Sequence, residues 1–514
     1  MLGPLEVRGG VRVGGRQRAL LALLLTRPNQ VFGVDEVVEA VWGDDVPDNP
    51  RGAVHTCVTR LRNVLAFCLL GLNPGPDISS KGAAALLGCS HDEALDMLDL
   101  LVAASLLENP FAERYRFHDL IRVYSADRAE VDMTVEARAE GFRRLADWYL
   151  YSVHAAVMKS VASLYVSPLG PAPTDITPIT FTTHEDAFTW LGRERSNYLA
   201  MIGSAAKNGP EKYTWMLTDA ARPDLINLHD MADLEWAAEA GLACAQRVGN
   251  RRGEAVMCLA LGGLKSMTRR YDEAIADLTE SRKAAAELGE TGIVATAIIS
   301  IAATYNTDGR GAEGAQAAKE ALEVIDRGAE QGEARRRSAK FQLAMSYVAL
   351  GRLRPARDLL ESVLAEAEDH SPPLSIASWH DHLGKIYRRL GEYQQAIESY
   401  RRVLDTEVEH RGIVNFSTAG LAAVYRDIGD IPRATAYARQ ALDAARAAGD
   451  PDQEAEARVV LGSLHLQKNQ PELAMKEFEV AHRLSNMADE AVEALAEMAV
   501  AAGEARYAHQ ALGH

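Results

Sequence analysis

The sequence of 514 residues has little cysteine and no long apolar segment. Its five cysteines are scattered, and no two of them have the C-x-x-C spacing of a zinc or redox site. The longest strictly apolar runs, such as 19–25, have seven residues, whereas a membrane-spanning helix needs about 20. The N-terminus MLGPLEVRGG also lacks the regions of a secretory signal peptide. We therefore expect a cytoplasmic protein with no disulfide framework, no metal site and no cofactor.

Aromatic residues make up only 6% of the chain, and basic residues are outnumbered by acidic ones. Ala, Leu, Glu and Arg are abundant, and these residues favour helices because they lose little rotamer freedom there. Lys and Arg total 55 against 72 Asp and Glu, which gives a net charge of −17. Any contact with nucleic acid must therefore come from a local basic patch. The composition predicts a mainly α-helical protein.

The C-terminal half repeats a helix–turn–helix unit of about 40 residues. The clearest unit, residues 379–404, reads WHDHLGKIYRRLGEYQQAIESYRRVL. It resembles the tetratricopeptide pattern in its Leu383-Gly384, Tyr387, Gly391, Tyr393, Ala396 and Tyr400. A small residue recurs at Gly262, Ala302, Ala344, Gly384, Ala422 and Gly462, and a second one twelve positions later at Ala274, Gly314, Ala356, Ala396, Ala434 and Ala474.

A repeat array of this kind predicts a partner-binding surface. One amphipathic helix pair cannot bury its own apolar face, so neighbouring pairs stack into an α-solenoid whose concave wall can hold a protein or peptide. We predict the array over residues 209–514, with a degenerate unit at 209–250, a terminal cap at 489–514 and a helical linker at 131–208. The recurring positions are explained by packing, and the sequence does not identify the ligand.

Residues 1–65 predict a small domain with a basic third helix. The first 15 residues alternate as short strands do, helices are predicted at 16–27 and from Asp35 to Gly43, and Asn49 is placed to cap the third helix. Val54, Val58, Leu61 and Leu65 form the apolar stripe of that helix. Its other side carries Arg51, His55, Thr56, Thr59, Arg60, Arg62 and Asn63, and no acid occurs from 51 to 65. This side suits a DNA major groove, although a solvated basic face is the simpler interpretation of the helix alone.

The order GRQRALLALLL, VDEVVEAVWG and RGAVHTCVTRLRNVL resembles the winged helix-turn-helix DNA-binding domain of SARP/AfsR-type actinobacterial regulators, which are related to OmpR-type proteins. The resemblance implies a regulator of secondary-metabolite genes that binds promoter direct repeats as a homo-oligomer. It implies DNA contacts by Arg51, His55, Thr56, Thr59, Arg60 and Arg62. It also implies a transactivation loop, contacting RNA polymerase, at Asp44, Asp45, Asp48 and Asn49.

Two features of the family are predicted to be missing. The family's third helix leads into a β-hairpin wing, but here the chain runs from Leu65 into AFCLLGLNPG. We expect the missing wing to weaken DNA binding, because a wing adds contacts to phosphates. The transcriptional-activation (BTAD) and ATPase domains of the large regulators are also absent between Leu65 and Ala66. The sequence does not say whether this deletion is natural or engineered.

Residues 66–130 resemble the winged helix that follows the nucleotide-binding domain in STAND-type (NB-ARC) ATPases. Ser80 and Ser90 are candidate helix caps, and ERYRFHDL is typical of a short hairpin that leads into a helix. The resemblance implies that His118 matches the histidine that senses the β-phosphate of ADP. No P-loop G-x-x-x-x-G-K-S/T occurs in the chain. We therefore interpret His118 as a vestigial nucleotide sensor that packs or caps the hairpin.

Two functions remain open from the sequence. The first is a DNA-binding transcriptional regulator that also binds a protein or peptide through its repeats. The second is a tetratricopeptide scaffold that does not bind DNA and titrates a partner or a full-length paralogue. We do not predict an enzyme, because acid pairs such as Asp44/Asp45 and Asp450/Asp452 fall in predicted turns and the histidines are scattered.

Overall fold

The computed structural model describes residues 33–43, 45–160, 166–227, 230–328, 332–367, 371, 373–406 and 411–484, together with Arg16, Ala19, Leu20 and Leu23. The strands predicted at 1–15, most of the helix predicted at 16–27 and the cap predicted at 489–514 lie outside these residues. The chain forms two compact units, residues 1–264 and 265–514, which are described separately.

The first unit is helical apart from one small sheet. The three strands are β1 (Ile78–Ser79), β2 (Leu107–Phe111) and β3 (Arg114–Phe117), and they form an antiparallel sheet in the order β1-β3-β2. The helices are α1 (Val34–Trp42), α2 (Pro50–Leu70), α3 (Ser80–Leu87), α4 (His91–Ala103), α5 (Asp119–Asp132), α6 (Val135–Ser160), α7 (His184–Asn208), α8 (Lys212–Asn227), α9 (Met231–Arg247) and α10 (Arg251–Met267).

The second unit consists of consecutive helices in the described ranges. Its helices are α11 (Tyr271–Glu287), α12 (Thr291–Thr307), α13 (Gly311–Arg327), α14 (Glu333–Ala349), α15 (Leu353–Ala365), α16 (Pro373–Leu390), α17 (Tyr393–Asp405), α18 (Arg411–Asp427), α19 (Ile431–Ala448), α20 (Pro451–Gln467) and α21 (Pro471–Leu484). The prediction of a mainly α-helical fold that ends in tetratricopeptide repeats is confirmed. In the described parts of the chain, no helix is both long and apolar enough to cross a membrane.

Helix α2 joins the two regions that resemble winged helices. It runs without interruption for 21 residues, or about 30 Å, so the boundary predicted between Leu65 and Ala66 falls inside a helix. The next strand of the described chain, β1, pairs with β3 of the second region. The prediction that no hairpin wing follows the third helix is therefore confirmed.

The second winged-helix region matches its predicted hairpin and one of its two predicted caps. Strands β2 and β3 form the hairpin that leads into α5, and Ser90 caps α4 in a capping box with Glu93. The cap predicted at Ser80 is wrong by one residue, because Ser79 is the last extended residue and its hydroxyl accepts from the amide of Gly82. Ser80 already belongs to α3 and is buried.

A buried polar cluster attaches this sheet to helices α6 and α7. The guanidinium of Arg114 on β3 forms ion pairs with both Asp77 and Glu194. Tyr149 donates to Glu194 at 3.1 Å, and the amide of Asn197 donates to Asp77 at 2.9 Å. Burial raises the pKa of Tyr149 well above its usual value, so the phenol remains a donor. The second winged helix is thus fixed to the helices that follow it in the first unit.

The twelve small residues predicted to set the helix contacts are all buried. The reason is clearest at Gly384, which lies against the buried ring of Tyr400. Gly420 of the following unit, which is not one of the twelve, lies against the same ring. A Cβ atom at Gly384 would be 2.8 Å from the Tyr400 ring carbons Cε1 and Cζ. Glycine is therefore required on α16 because an aromatic ring occupies the space that a methyl group needs.

We expect Gly384→Ala to lower the free energy of unfolding by about 1–3 kcal/mol, because the added methyl overpacks the Tyr400 contact. Gly263→Ala is the matched control, since it also lies inside a repeat helix but nothing approaches its Cβ position within 4 Å. That control gains up to about 1 kcal/mol from helix propensity. Thermal unfolding of both variants checks this, and equal shifts would contradict the Tyr400 contact.

Candidate DNA-binding site

The N-terminus of α2 is a capped helix start with a basic side chain. The side-chain oxygen of Asn49 accepts from the amide of Gly52 at 3.0 Å, and Pro50 occupies the first helical position, as predicted. Arg51 is exposed and forms no ion pair with any described residue. Thr56 is also exposed, and its hydroxyl donates to the carbonyl of Gly52 at 2.8 Å.

The apolar side of this helix packs on α1. Val54 and Leu65 of the predicted stripe contact the cluster built on buried Val37 and Leu20. Among the predicted DNA contacts, the structure describes the side chains of Arg51 and Thr56. It places the backbones of the others on the same continuous helix, and their side chains lie outside the described set: His55, Thr59, Arg60 and Arg62.

The loop between α1 and α2 carries the residues predicted for transactivation. Asp45 forms an ion pair with Arg16 at 3.1 Å, and both side chains are exposed, so the pair contributes at most about 1 kcal/mol. Arg16 also lies over the ring of Trp42, 5.8 Å from its centroid. Asp48 is exposed, Asp44 lies outside the described residues, and the side chain of Asn49 is occupied by the helix cap. Of the predicted loop residues that the structure describes, Asp48 thus has an exposed side chain that is engaged neither in the ion pair with Arg16 nor in the helix cap.

His118 lies at the junction of the hairpin and α5. Its Nε2 atom is 2.9 Å from Oε1 of Glu108, and Arg116 donates from Nε to the other oxygen of Glu108 at 2.6 Å. The hydrogen bond from Arg116 holds the pKa of Glu108 below its usual range. Glu108 is not singled out by the sequence pattern, although Glu108 and Arg116 are opposite-charge partners across the hairpin. The imidazole therefore has a carboxylate partner within its own hairpin.

Across the described ranges, no cluster of three or more His, Cys, Asp or Glu side chains could hold a metal ion. Burial raises the pKa of Cys68 on α2 to about 11, so this thiol stays protonated and packs as a small apolar group. The described part of α2 thus presents a capped helix start with an exposed arginine, Arg51.

The region around α2 and two stretches of the repeats match known protein families. Residues 8–68 match the family described as the transcriptional regulatory protein C-terminal domain, and residues 338–370 and 379–412 match tetratricopeptide repeats. The chain is 36% identical over 219 residues to the regulatory protein AfsR of Streptomyces griseus, which covers 41% of this chain and 22% of that protein. It is 38% identical over 146 residues to AfsR of Streptomyces coelicolor, covering 27% and 14%.

One solved structure shares the fold over most of the chain. It is a STAND protein (Signal Transduction ATPase with Numerous Domains) with a tetratricopeptide repeat sensor from Pyrococcus horikoshii. The TM-score is 0.59 at 14% identity, covering 96% of this chain and 66% of that one, so the likeness shows the fold alone.

The comparisons confirm the resemblance to SARP/AfsR-type regulators. The chain matches a winged-helix family and tetratricopeptide repeats, and it matches AfsR proteins. The matches span about a fifth or less of the AfsR proteins' own length. The BTAD and ATPase domains are absent between the two winged-helix regions, and α2 crosses that point as one continuous helix.

We expect Asn49→Ala to loosen the start of α2, because the amide of Gly52 loses its acceptor. The expected cost is about 1 kcal/mol, which is roughly a five-fold faster hydrogen exchange of the first turn. Asn49→Asp is the control, since a carboxylate caps a helix as well as an amide does. Exchange measured by mass spectrometry on the peptide that begins at Pro50 checks this. Equal rates in the alanine variant and the parent chain would show that the cap contributes nothing.

Proposed function

We propose that the chain is a transcriptional regulator that binds promoter DNA with the N-terminal part of α2 and a protein or peptide with its repeats. The observation that carries the DNA part is a capped, basic helix start inside the winged-helix match at 8–68. Arg51 is exposed there, and no acid occurs from 51 to 65. Arginines bind phosphates and pair with guanine in the major groove.

We assign the DNA contacts to α2 and the RNA polymerase contacts to the loop that precedes it. Asp45 and Asp48 present exposed carboxylates before α2, which suits a basic surface of RNA polymerase. Asn49 joins that contact through its backbone, because its side chain caps the helix. The proposed DNA contacts are Arg51, His55, Thr56, Thr59, Arg60 and Arg62, and the proposed transactivation loop is Asp44, Asp45, Asp48 and Asn49.

Three further features complete the proposal. Several copies bind promoter direct repeats, which offsets the weak binding of one domain that lacks its wing. His118 is a vestigial nucleotide sensor that holds the hairpin through Glu108, and the chain carries no catalytic activity. The repeats bind a protein or peptide partner, as stacked helix pairs commonly do.

The alternative function is a scaffold that no longer reads DNA. The net charge of −17 and the missing wing favour it, because both weaken attraction to a polyanion. In that case the chain titrates a partner or a full-length paralogue through its repeats.

The test is a fluorescence-anisotropy titration of the full chain with duplexes enriched from a random pool and with a scrambled duplex. We expect selective, salt-sensitive binding. Arg60→Ala/Arg62→Ala is expected to reduce the salt slope by about 0.9 for each phosphate that these two arginines neutralise, or to cost about 1–3 kcal/mol for each base that they read.

A charge-matched control separates direct binding from net charge. Arg282→Ala/Lys283→Ala removes two positive charges from α11 of the second unit, where both side chains are solvent-accessible, and it leaves DNA binding unchanged in this proposal. Equal, weak binding of the parent chain to both duplexes at low salt would overturn the DNA part and leave the scaffold.

A further inference from the structure

One helical position of the repeats holds small residues in most units and an arginine in one. Seven positions before each recurring small residue, the chain has Ala255, Ala295, Arg337, Ala377, Asn415 and Ala455. All six residues are buried, from 0% exposed at Ala255 and Ala377 to 8% exposed at Arg337. This position lies where helices pack closely, so a long cation there is unfavourable unless a partner offsets its desolvation.

The two polar residues at this position differ in what they bind. Asn415 donates from Nδ2 to Oε1 of Gln453 at 2.7 Å, so its amide is satisfied within the array. The Nε atom of Arg337 is buried and has no hydrogen-bond partner among the described residues. Within the described ranges, no carboxylate lies at ion-pair distance from the Arg337 guanidinium and no side chain accepts a hydrogen bond from it.

Another buried arginine of the second unit, Arg458, has partners for its guanidinium. Arg458 is also 8% exposed, and it forms ion pairs with Glu454 at 2.7 Å and Glu477 at 2.5 Å. Arg337 is buried to the same extent, but it has no carboxylate partner among the described residues. Packing within the array alone therefore does not explain an arginine at this position.

The cations around Arg337 have partners of their own. Arg336 forms an ion pair with Asp326, and Arg335 is engaged as well. Lys340 pairs with Glu366 at 2.5 Å and holds the pKa of that carboxyl below its usual range, with a smaller contribution from the charge of Arg337. Among the described residues, Arg337 is therefore a buried cation with no carboxylate at ion-pair distance, at the end of the repeat where α14 begins and α15 ends.

We propose that Arg337 is the anchor for a carboxylate of the peptide segment that the second unit binds. This inference rests on the partner binding proposed above and adds the chemistry of the ligand. The planar guanidinium fork matches a carboxylate with two parallel hydrogen bonds. A single monoanion neutralises the one free charge, whereas a phosphate dianion leaves an excess negative charge in a chain that already carries −17.

The test is hydrogen exchange of the full chain, read by mass spectrometry on the peptides of α14 and α15. The probe is sodium acetate, compared with sodium chloride at equal ionic strength and pH. If acetate binds only the folded form, exchange slows by the factor 1 + c/Kd, where c is the acetate concentration. At an acetate concentration of ten times Kd, this factor is about eleven. Acetyl-tetraalanine with a free C-terminus is expected to act at lower concentration than acetate, and its C-terminal amide to have no effect.

Two substitutions separate binding from structure. Arg337→Ala introduces the residue of four other repeats, and Arg337→Met keeps the apolar stem without the charge. Both are expected to lose the acetate response, and Arg337→Met is expected to exchange no faster than the parent chain in chloride, because an unpaired buried charge has been removed. Arg336→Ala is the control, and it keeps the response.

Three results would overturn the proposal. An unchanged exchange rate of the parent chain in acetate would mean that a carboxylate of the chain itself, outside the described residues, occupies the guanidinium. Faster exchange of Arg337→Met in chloride would assign a structural role to the charge. Stronger protection by sodium phosphate than by acetate would exclude a carboxylate as the ligand. None of these results depends on DNA binding, so the anisotropy titration and this test can fail separately.

Discussion

The continuity of helix α2 is the constraint on which the first unit depends. Its N-terminal half carries the proposed DNA contacts, and at its C-terminal end Ala66, Cys68 and Leu70 are buried in the next region. A helix turns about 100° and rises about 1.5 Å per residue, so the two halves keep a fixed rotation and distance. A displacement of the second winged helix therefore moves the basic helix with it. The missing wing has the same cause, since the residues that follow Leu65 remain helical and pack inside the unit.

The sequence predicted those parts of the fold that repeat or that depend on neighbouring residues. The twelve small residues of the array were found by spacing, because stacked helix pairs need close contacts at a fixed period. Asn49 was found by its position before Pro50. The continuity of α2 was missed because two family resemblances met at Leu65. The signal was nevertheless present, since no glycine or proline lies between Gly52 and Gly71.

The candidate sites depended more on contacts that only a folded chain reveals. The pairing of His118 with Glu108 needs the register of a two-stranded hairpin, which a turn pattern does not fix. The role of Arg337 was also missed, because it lies in a run of three arginines and the sequence does not show which of them is buried. In the aligned repeats, Arg337 occupies a position that holds alanine in most units. Arg335 and Arg336 have partners, whereas the Nε of Arg337 has none among the described residues.

The ring of Tyr400, placed between Gly384 and Gly420, also has a consequence for how the array can change over generations. Repeat arrays lengthen and shorten when whole units are duplicated or deleted. A tyrosine that needs glycine on its own unit and on the following one makes these two units a matched pair. A crossover that separated them would set the ring against a methyl group or leave a void beside it. We therefore expect these two repeats to be inherited together, whereas units without such a contact are free to be exchanged.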